Sequence, residues 1–303
     1  MLLFQQMLVL FIIMFLGFWC GKKGVISDES SKTIAFIVVN IANPALILSA
    51  SVNGDAVIKG KELLYTFLLA IVVFAVLILL SMMIPRVLRV DSEEIGIYKV
   101  MVIFSNIGFM GFPIISATFG ASALLYASLF LFPFNILIYT YGIVVMKQNA
   151  AKERLNIGKI FNVGVIACIV SLIIYLLHIP MPSFVKNTVS NLSGLTAPLS
   201  MLVIGQSMIY FKLKELFTDS KLLIFSFLKL LVIPILGTLL IKQFESNTMI
   251  VGVCMIMLAT PVGSMTAMLA QQYDGNHELA SKGVALTTVL SVVTIPIVSA
   301  IVM

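Results

Sequence analysis

Long apolar runs, each about as long as a membrane-spanning helix, follow one another along nearly all of the 303 residues. A helix needs about 20 predominantly apolar residues to cross the hydrocarbon core of a bilayer. Ten segments meet this requirement, and they are residues 2–20, 33–52, 63–85, 98–118, 122–146, 160–179, 188–210, 221–241, 248–272 and 279–302. The pattern predicts an all-α polytopic membrane protein with ten transmembrane helices.

The chain also resembles itself when it is shifted by 154 residues. The apolar segments and their polar interruptions then agree in order without a gap, and Pro44 falls on Pro198. Because each half has five segments, the second half enters the membrane from the opposite face, as in many secondary transporters. Two unrelated five-segment halves would also align roughly, so the argument depends on the shared spacing. The predicted units are a first repeat (residues 1–146), a cytoplasmic linker (147–159) and a second, inverted repeat (160–303).

Composition and charge placement agree with this topology. The chain is 60% hydrophobic and 11% charged, whereas soluble domains are about 25% charged. The connections that follow odd-numbered segments hold 14 Lys and Arg, the opposite connections hold 4, and Lys229 lies within a segment. The positive-inside rule therefore places both termini outside, in a bacterial-type plasma membrane. The net charge of +6 follows from this orientation and indicates no nucleic-acid partner.

The ninth segment contains residues that interrupt a helix at the expected depth of the membrane centre. Proline lacks a backbone N–H, and the carbonyl that it leaves free is costly in hydrocarbon unless protein or a cavity surrounds it. Thr260 is predicted to be the N-cap of a new half-helix, and Pro261 its first residue. Gly263 adds flexibility, and Ser264 and Thr266 add hydroxyls. The free amides and the positive dipole end of such a half-helix favour an anion.

The fourth segment has a similar run with Asn106, Gly108, Gly111 and Pro113. Under the shift, Asn106 falls on Thr260, but the prolines do not superpose, and they place the two breaks six residues apart. The alternative to a broken helix is a kinked continuous helix that uses its small residues for close packing.

Three other polar residues are candidates for a role. Asn43, beside Pro44, either joins the site or makes a polar contact between helices. Lys229 either has a role in binding or in substituting for a coupling cation, or it reaches out to an interface or has a structural role. No Asp or Glu lies in the middle of a segment, so the ligand of this site is expected to be an anion. Proton coupling would then have to use Asp274, His277 or Lys229.

Motifs for enzyme chemistry are missing from the sequence. There is no phosphate-binding loop, no zinc-protease motif and no serine-hydrolase motif, and the three cysteines lack metal-binding spacing. We predict neither enzyme activity nor a metal or cofactor.

Three runs, NIANPALIL, SNIGFMGFP and ATPVGSMTAMLAQQYDGN, resemble the bacterial auxin efflux carrier family, which includes malate and malonate permeases. The likeness covers the whole chain. It implies two inverted five-helix repeats, with helices four and nine broken and crossing at the midplane. It also implies elevator-type movement of a transport domain against a scaffold, and often a homodimer. By position, Asn106 matches the polar residue at the first crossing, and Pro261 matches the crossing proline of the second.

The prediction is a secondary transporter of a small organic anion, such as malate, malonate or an auxin-like acid. Its expected partners are that anion, the lipid bilayer and a second copy of the chain. The expected binding residues are Asn43, Asn106, Thr260, Pro261, Ser264 and Thr266; the expected breaks are Gly108, Gly111, Pro113, Pro261 and Gly263; and the expected charge or coupling residues are Lys229 and Asp274. The alternatives are a non-transporting membrane receptor or sensor for the same ligand, and a cation antiporter of similar fold.

Overall fold

The computed structural model describes residues 2–52, 60–146, 162–210, 217–273 and 275–303, and the regular structure in these ranges is helical. The predicted linker 147–159 lies outside the described residues. The helices are α1 (Leu2–Lys22), α2 (Asp28–Val52), α3 (Gly60–Val87), α4 (Ile95–Ile103), α5 (Ile107–Phe119), α6 (Ala123–Met146), α7 (Val163–Leu176), α8 (Ser183–Tyr210), α9 (Ser220–Lys242), α10 (Thr248–Ala259), α11 (Met265–Gln272) and α12 (His277–Val302).

Six of these helices are long and apolar enough to cross a membrane, namely α2, α3, α6, α8, α9 and α12. Helices α5, α7 and α10 and the stretch Leu8–Lys22 of α1 are apolar but shorter. The prediction of an all-helical, multi-pass membrane protein is therefore confirmed for the described ranges.

Wide π-turns let three helices contain a proline without ending. The turns Val38–Ala42, Ile107–Gly111 and Leu228–Val232 each precede a proline by two residues. In each, the N–H just before the proline bonds to the carbonyl five residues back, so the wide turn takes up the register that the missing donor disturbs. Pro113 consequently lies inside α5, and the prediction that it marks a break is wrong.

The helices pack into two bundles. In the four-helix bundle, α1 lies along the second half of α8, while α7 and the first half of α8 lie along α2. In the eight-helix bundle, α3 packs on α4, α9 on α10, and α11 on α12. The two bundles meet where α5 packs against α1 and α8 and where α2 packs against α6. The π-turn of α5 lies at this junction.

Glycines let α1 and α8 approach until their backbones touch. A Cβ atom added to Gly205 would lie 1.9 Å from the carbonyl oxygen of Met14. One added to Gly17 would lie 2.4 Å from the carbonyl oxygen of Leu202. Small residues at such contacts are typical of helix pairs in membranes, where close van der Waals packing drives association.

We expect Gly205→Ala to lower the free energy of unfolding by about 1–3 kcal/mol, because the new methyl group overlaps the backbone of α1. The matched control is Gly194→Ala in the same helix, where an added Cβ meets nothing within 4 Å. Thermal unfolding of the purified proteins in detergent measures both. Equal midpoints for the two variants would contradict close packing at Gly205.

Candidate functional site

The chain leaves the helical conformation at two places that meet in the eight-helix bundle. Helix α4 ends at Ile103 and α5 begins at Ile107, while α10 ends at Ala259 and α11 begins at Met265. The two helix ends are 156 residues apart in sequence, close to the shift of 154. The prediction that the two breaks are displaced by six residues under the internal shift is therefore wrong, because that prediction places the first break at Pro113.

The two interruptions pair as a short antiparallel bridge. The N–H of Asn106 donates to the carbonyl of Pro261 at 2.8 Å, and the N–H of Gly263 donates to the carbonyl of Phe104 at 2.9 Å. All four residues are buried. Each segment thus supplies partners for backbone groups that the other leaves unpaired, and such partners are required where no water is available.

A threonine of α12 completes the bridge. Val262 and Thr287 are both fully buried, and the N–H of Val262 donates to Oγ1 of Thr287 at 3.1 Å. The hydroxyl of Thr287 donates in turn to the carbonyl of Gly283 at 2.7 Å. Sequence reasoning missed Thr287, since nothing in the spacing of α12 distinguishes it from the adjacent Thr288.

Thr260 and Pro261 do not begin the second half-helix, so that prediction is wrong. The hydroxyl of Thr260 donates to the carbonyl of Met257 at 3.0 Å, which caps the end of α10. Pro261 lies in the extended stretch, and α11 starts only after Ser264, whose side chain makes no capping bond. The first turn of α11 thus lacks a side-chain cap, although its N-terminus follows the bridge directly.

Asn106 and two glycines shape the crossing point. The Asn106 side chain caps α5, because its Oδ1 accepts a bond from the N–H of Phe109 at 3.3 Å. A Cβ added to Gly263 would lie 3.1 Å from the carbonyl oxygen of Ser105. One added to Gly111 would lie 3.6 Å from Cγ2 of Thr260. The small residues therefore permit the two interrupted segments to cross in contact.

Spare hydrogen-bonding capacity lies at the junction of the two bundles. Asn43 Oδ1 on α2 and the hydroxyls of Thr196 and Ser200 on α8 are buried and have no hydrogen-bond partner within the described ranges. A Cβ at Gly108 would lie 3.5 Å from Nδ2 of Asn43, and the segment Thr196–Ser207 of α8 packs against the turn Ile107–Gly111. An unsatisfied buried polar group costs about 1–3 kcal/mol, so such a group calls for an explanation such as a water or a ligand.

Other buried hydroxyls without a partner in the described ranges lie on four different helices, and they are Thr118, Thr238, Thr266 and Thr294. The unpartnered polar atoms at the junction differ from these four hydroxyls because their residues flank Pro44 and Pro198, two prolines that the internal shift aligns. That alignment is the sequence signal that could have identified Thr196 and Ser200.

Lys229 reaches the bridge from α9. Its side chain is fully buried, and Nζ donates to the carbonyl of Val102 at 2.9 Å and to Oγ of Ser105 at 2.7 Å. These two acceptors are neutral, and no ion pair of Lys229 is present among the described residues. The intramembrane lysine predicted from the sequence therefore does not reach out to an interface.

A carboxyl group at the end of the eight-helix bundle was not singled out from the sequence. The predicted coupling residue Asp274 lies outside the described residues. The carboxyl group in question belongs to Glu94, whose Oε1 accepts a hydrogen bond from Nδ2 of Asn276 at 3.5 Å. Burial raises the pKa of Glu94, and the charges of Asp91 and Asp219 raise this pKa further. Glu94 consequently keeps its proton to a higher pH than an ordinary glutamate does.

A helical multi-pass chain with buried polar groups where two bundles meet is typical of membrane transport proteins. Residues 2–299 match the model of a family described as membrane transport protein, and the chain belongs to that family. The resemblance to the auxin efflux carrier family is thereby confirmed, at the level of the family.

Two archaeal relatives match over almost their full length. An uncharacterized transporter of Methanothermobacter thermautotrophicus is 22% identical over 299 residues, which cover 98% of this chain and 97% of the relative. One of Methanocaldococcus jannaschii is 26% identical over 304 residues, with 95% of each chain covered. The lysosomal cholesterol signaling protein of Mus musculus is 21% identical over 318 residues, which cover 95% of this chain but 36% of the mouse protein.

We expect Thr287→Val to lower the free energy of unfolding by about 1–3 kcal/mol, because it leaves the buried N–H of Val262 without a partner. Thr288→Val is the matched control, since the hydroxyl of the buried Thr288 bonds only to a carbonyl of its own helix, that of Val284. Thermal unfolding measures both variants. Equal losses would show that the bond to Val262 contributes nothing particular.

Proposed function

We propose that this chain is a secondary transporter of a small organic anion. The observation that carries the proposal is the set of unpartnered polar atoms of Asn43, Thr196 and Ser200 at the junction of the two bundles, opposite the π-turn of α5. Polar groups without partners that converge at a junction between helices are where a ligand gains most from binding. Full-length similarity to transporters supports movement of that ligand.

The expected charge of the ligand is negative. The amide ends of α5 and α11 both lie beside the bridge, and a helix N-terminus favours an anion. Asn43 and Asn106 contribute amide groups, and Thr196 and Ser200 contribute hydroxyls. Lys229 adds a positive charge at the bridge. A carboxylate of malate, malonate or an auxin-like acid matches these donors.

The contacts between helices support two inverted repeats. The packing of α1 on α8 is mirrored by that of α7 on α2, and the packing of α3 on α4 by that of α9 on α10. If α4 with α5, and α10 with α11, each count as one broken span, the chain has ten spans. In this arrangement both termini lie outside a plasma membrane.

An elevator-type movement follows from the same division. The four-helix bundle would serve as the scaffold and as the contact for a second copy, and the eight-helix bundle would move with the ligand. The small cavity beside the bridge, lined by Phe74, Phe130, Ser105 and Met257 among others, has room for about one water molecule. A carboxylate does not fit in this cavity, whose lining residues all belong to the eight-helix bundle, so the proposed binding site is the junction of the two bundles.

A membrane receptor or sensor for such a ligand is the second candidate. The mouse relative is named as a signaling protein, and a bound ligand could bias the same junction without being carried across. Ligand binding in sealed vesicles without any flux would favour this candidate. The cation antiporter is less well supported, because no carboxylate takes part in the hydrogen bonds of the bridge within the described ranges.

We expect Ser200→Ala to weaken carboxylate binding about 10-fold or more, since a hydrogen bond to a charged group contributes about 1.5–3 kcal/mol. Malate, malonate and indole-3-acetate serve as probes, and a ligand that binds raises the thermal midpoint of the purified protein. The control is Ser193→Ala in the same helix, whose hydroxyl bonds to the carbonyl of Ser190.

The corresponding transport assay uses proteoliposomes and the acid that binds. Asn43→Ala, Asn106→Ala and Pro261→Ala should reduce its uptake, whereas Ser193→Ala should not. Unchanged uptake in all three variants would contradict the site, and sodium-dependent cation flux would favour the antiporter instead.

Relative movement of the bundles predicts that a cross-link between Asn135→Cys in α6 and Asn162→Cys, just before α7, stops transport. These positions face each other where α7 of the four-helix bundle packs on α6 of the eight-helix bundle, since Nδ2 of Asn162 donates to Oδ1 of Asn135 at 2.5 Å. Cys20→Ser provides the background, because Cys168 and Cys254 are buried. Uptake is measured before and after a short reducible thiol linker is added, and again after reduction. Full uptake by the cross-linked protein would exclude the elevator movement.

A further inference from the structure

The environment of Lys229 is that of a bound cation rather than of an ion pair. The residue lies in the π-turn Leu228–Val232 of α9, its side chain has no exposed surface, and its two acceptors are a carbonyl oxygen and a hydroxyl oxygen. A charged amine inside a membrane protein is costly unless its surroundings compensate.

The end of α4 supplies the compensation. Val102 is one residue before the last residue of α4, so its carbonyl belongs to the negative end of that helix. At the end of α10 the carbonyl of Met257 accepts instead from the neutral hydroxyl of Thr260. The π-turn of Lys229 also packs against α10 and α12, and the hydrogen bond from α12 to the bridge, through Thr287, is likewise neutral. Among the described residues, the hydrogen bonds of the lysine thus pair its charge with the end of α4.

Carriers with broken helices coordinate their coupling cations with unwound backbone and with the carbonyl ends of half-helices. Here those same kinds of oxygen, from Val102 and Ser105, are bonded to Nζ of Lys229. We propose that Lys229 is a tethered cation, and that its ammonium group fills a monovalent-cation site that the chain forms at the end of α4.

Removal of the side chain should open this site to a free cation. Lys229→Ala deletes three methylene groups and the ammonium group, which together correspond to n-propylammonium. We expect Lys229→Ala to unfold at a lower temperature than the wild type, and n-propylammonium chloride to raise its midpoint by about 2 °C or more. The wild type should show no such rise, because its own lysine occupies the site.

Three controls separate a cation site from a cavity that merely needs filling. With 1-propanol, which has similar volume but no charge, the Lys229→Ala midpoint should not rise. The rise should also be lost in Lys229→Met, where a side chain fills the space, and weakened when Ser105→Ala is added to Lys229→Ala. Equal stabilisation by propanol and propylammonium, or none by either, would overturn the proposal.

Lys229→Met also provides a test if Lys229→Ala does not fold. Methionine fills most of the volume but leaves the oxygens of Val102 and Ser105 without a donor, so the proposal requires a lower midpoint than that of the wild type. An unchanged midpoint would overturn it. These measurements need no substrate, and their failure is therefore distinct from a failure of the proposed transport function.

For transport, the inference rests on the proposed function and concerns its coupling. A carrier with a tethered cation needs no sodium, so uptake of the bound carboxylate by the wild type should be equal in sodium and in choline buffers. Strict sodium dependence of the wild type would contradict the proposal, even if carboxylate uptake itself were established.

Discussion

Backbone groups that leave a helix within the membrane must find partners inside the protein, and this requirement governs the centre of the molecule. The stretches after α4 and α10 meet it by pairing with each other, so neither can be satisfied without the other. Because the helix ends before the two stretches lie 156 residues apart in sequence, the pairing holds the two halves of the chain in register. The absence of a side chain at Gly263 allows the two stretches to approach, and the hydroxyl of Thr287 accepts a hydrogen bond from one of them.

Buried polar groups differ in their hydrogen bonding between the bridge, which lies inside the eight-helix bundle, and the junction of the two bundles. At the bridge, the backbone N–H groups of Asn106, Val262 and Gly263 have hydrogen-bond partners at 2.8–3.1 Å. At the junction with the four-helix bundle, Asn43, Thr196 and Ser200 retain unused polar atoms. A crossing whose polar groups are all hydrogen-bonded is rigid, whereas a polar ligand at the junction would supply the hydrogen bonds that its polar atoms lack. The ligand is therefore expected at the junction, not within the bridge itself.

The helical, multi-pass architecture could be predicted from the sequence because the length of an apolar run is a local property that does not depend on how the helices pack. The sequence did not predict where the chain leaves the helix. The sequence pattern predicts a break at Pro113, yet the π-turn before this proline compensates for the missing donor. It also predicts that a helix starts at Thr260, although the Thr260 hydroxyl caps the end of one. Both errors arise because a proline only removes one bond, and the surrounding packing decides how the backbone responds.

The site was predictable only in part, for a related reason. Asn43, Asn106 and Lys229 were conspicuous because amides and cations are rare in apolar segments. Hydroxyls are common there, since a serine or threonine usually bonds to its own helix, as Ser193 and Thr288 do. Which hydroxyl remains unpartnered depends on the neighbouring helix and cannot be predicted from spacing alone.

The two interruptions have similar backbones but differ in charge. One helix end is capped by the hydroxyl of Thr260, and the other by the ammonium of Lys229. Similar helix ends have similar dipoles, so the lysine is an addition of positive charge that the backbone pairing itself does not require. Because the end of α4 compensates this charge, the two sides of the crossing differ in their chemistry where their backbones agree. The inverted repeats would therefore form a pseudo-symmetric path with an asymmetric binding site, as a carrier needs if a single anion is to bind in one defined orientation.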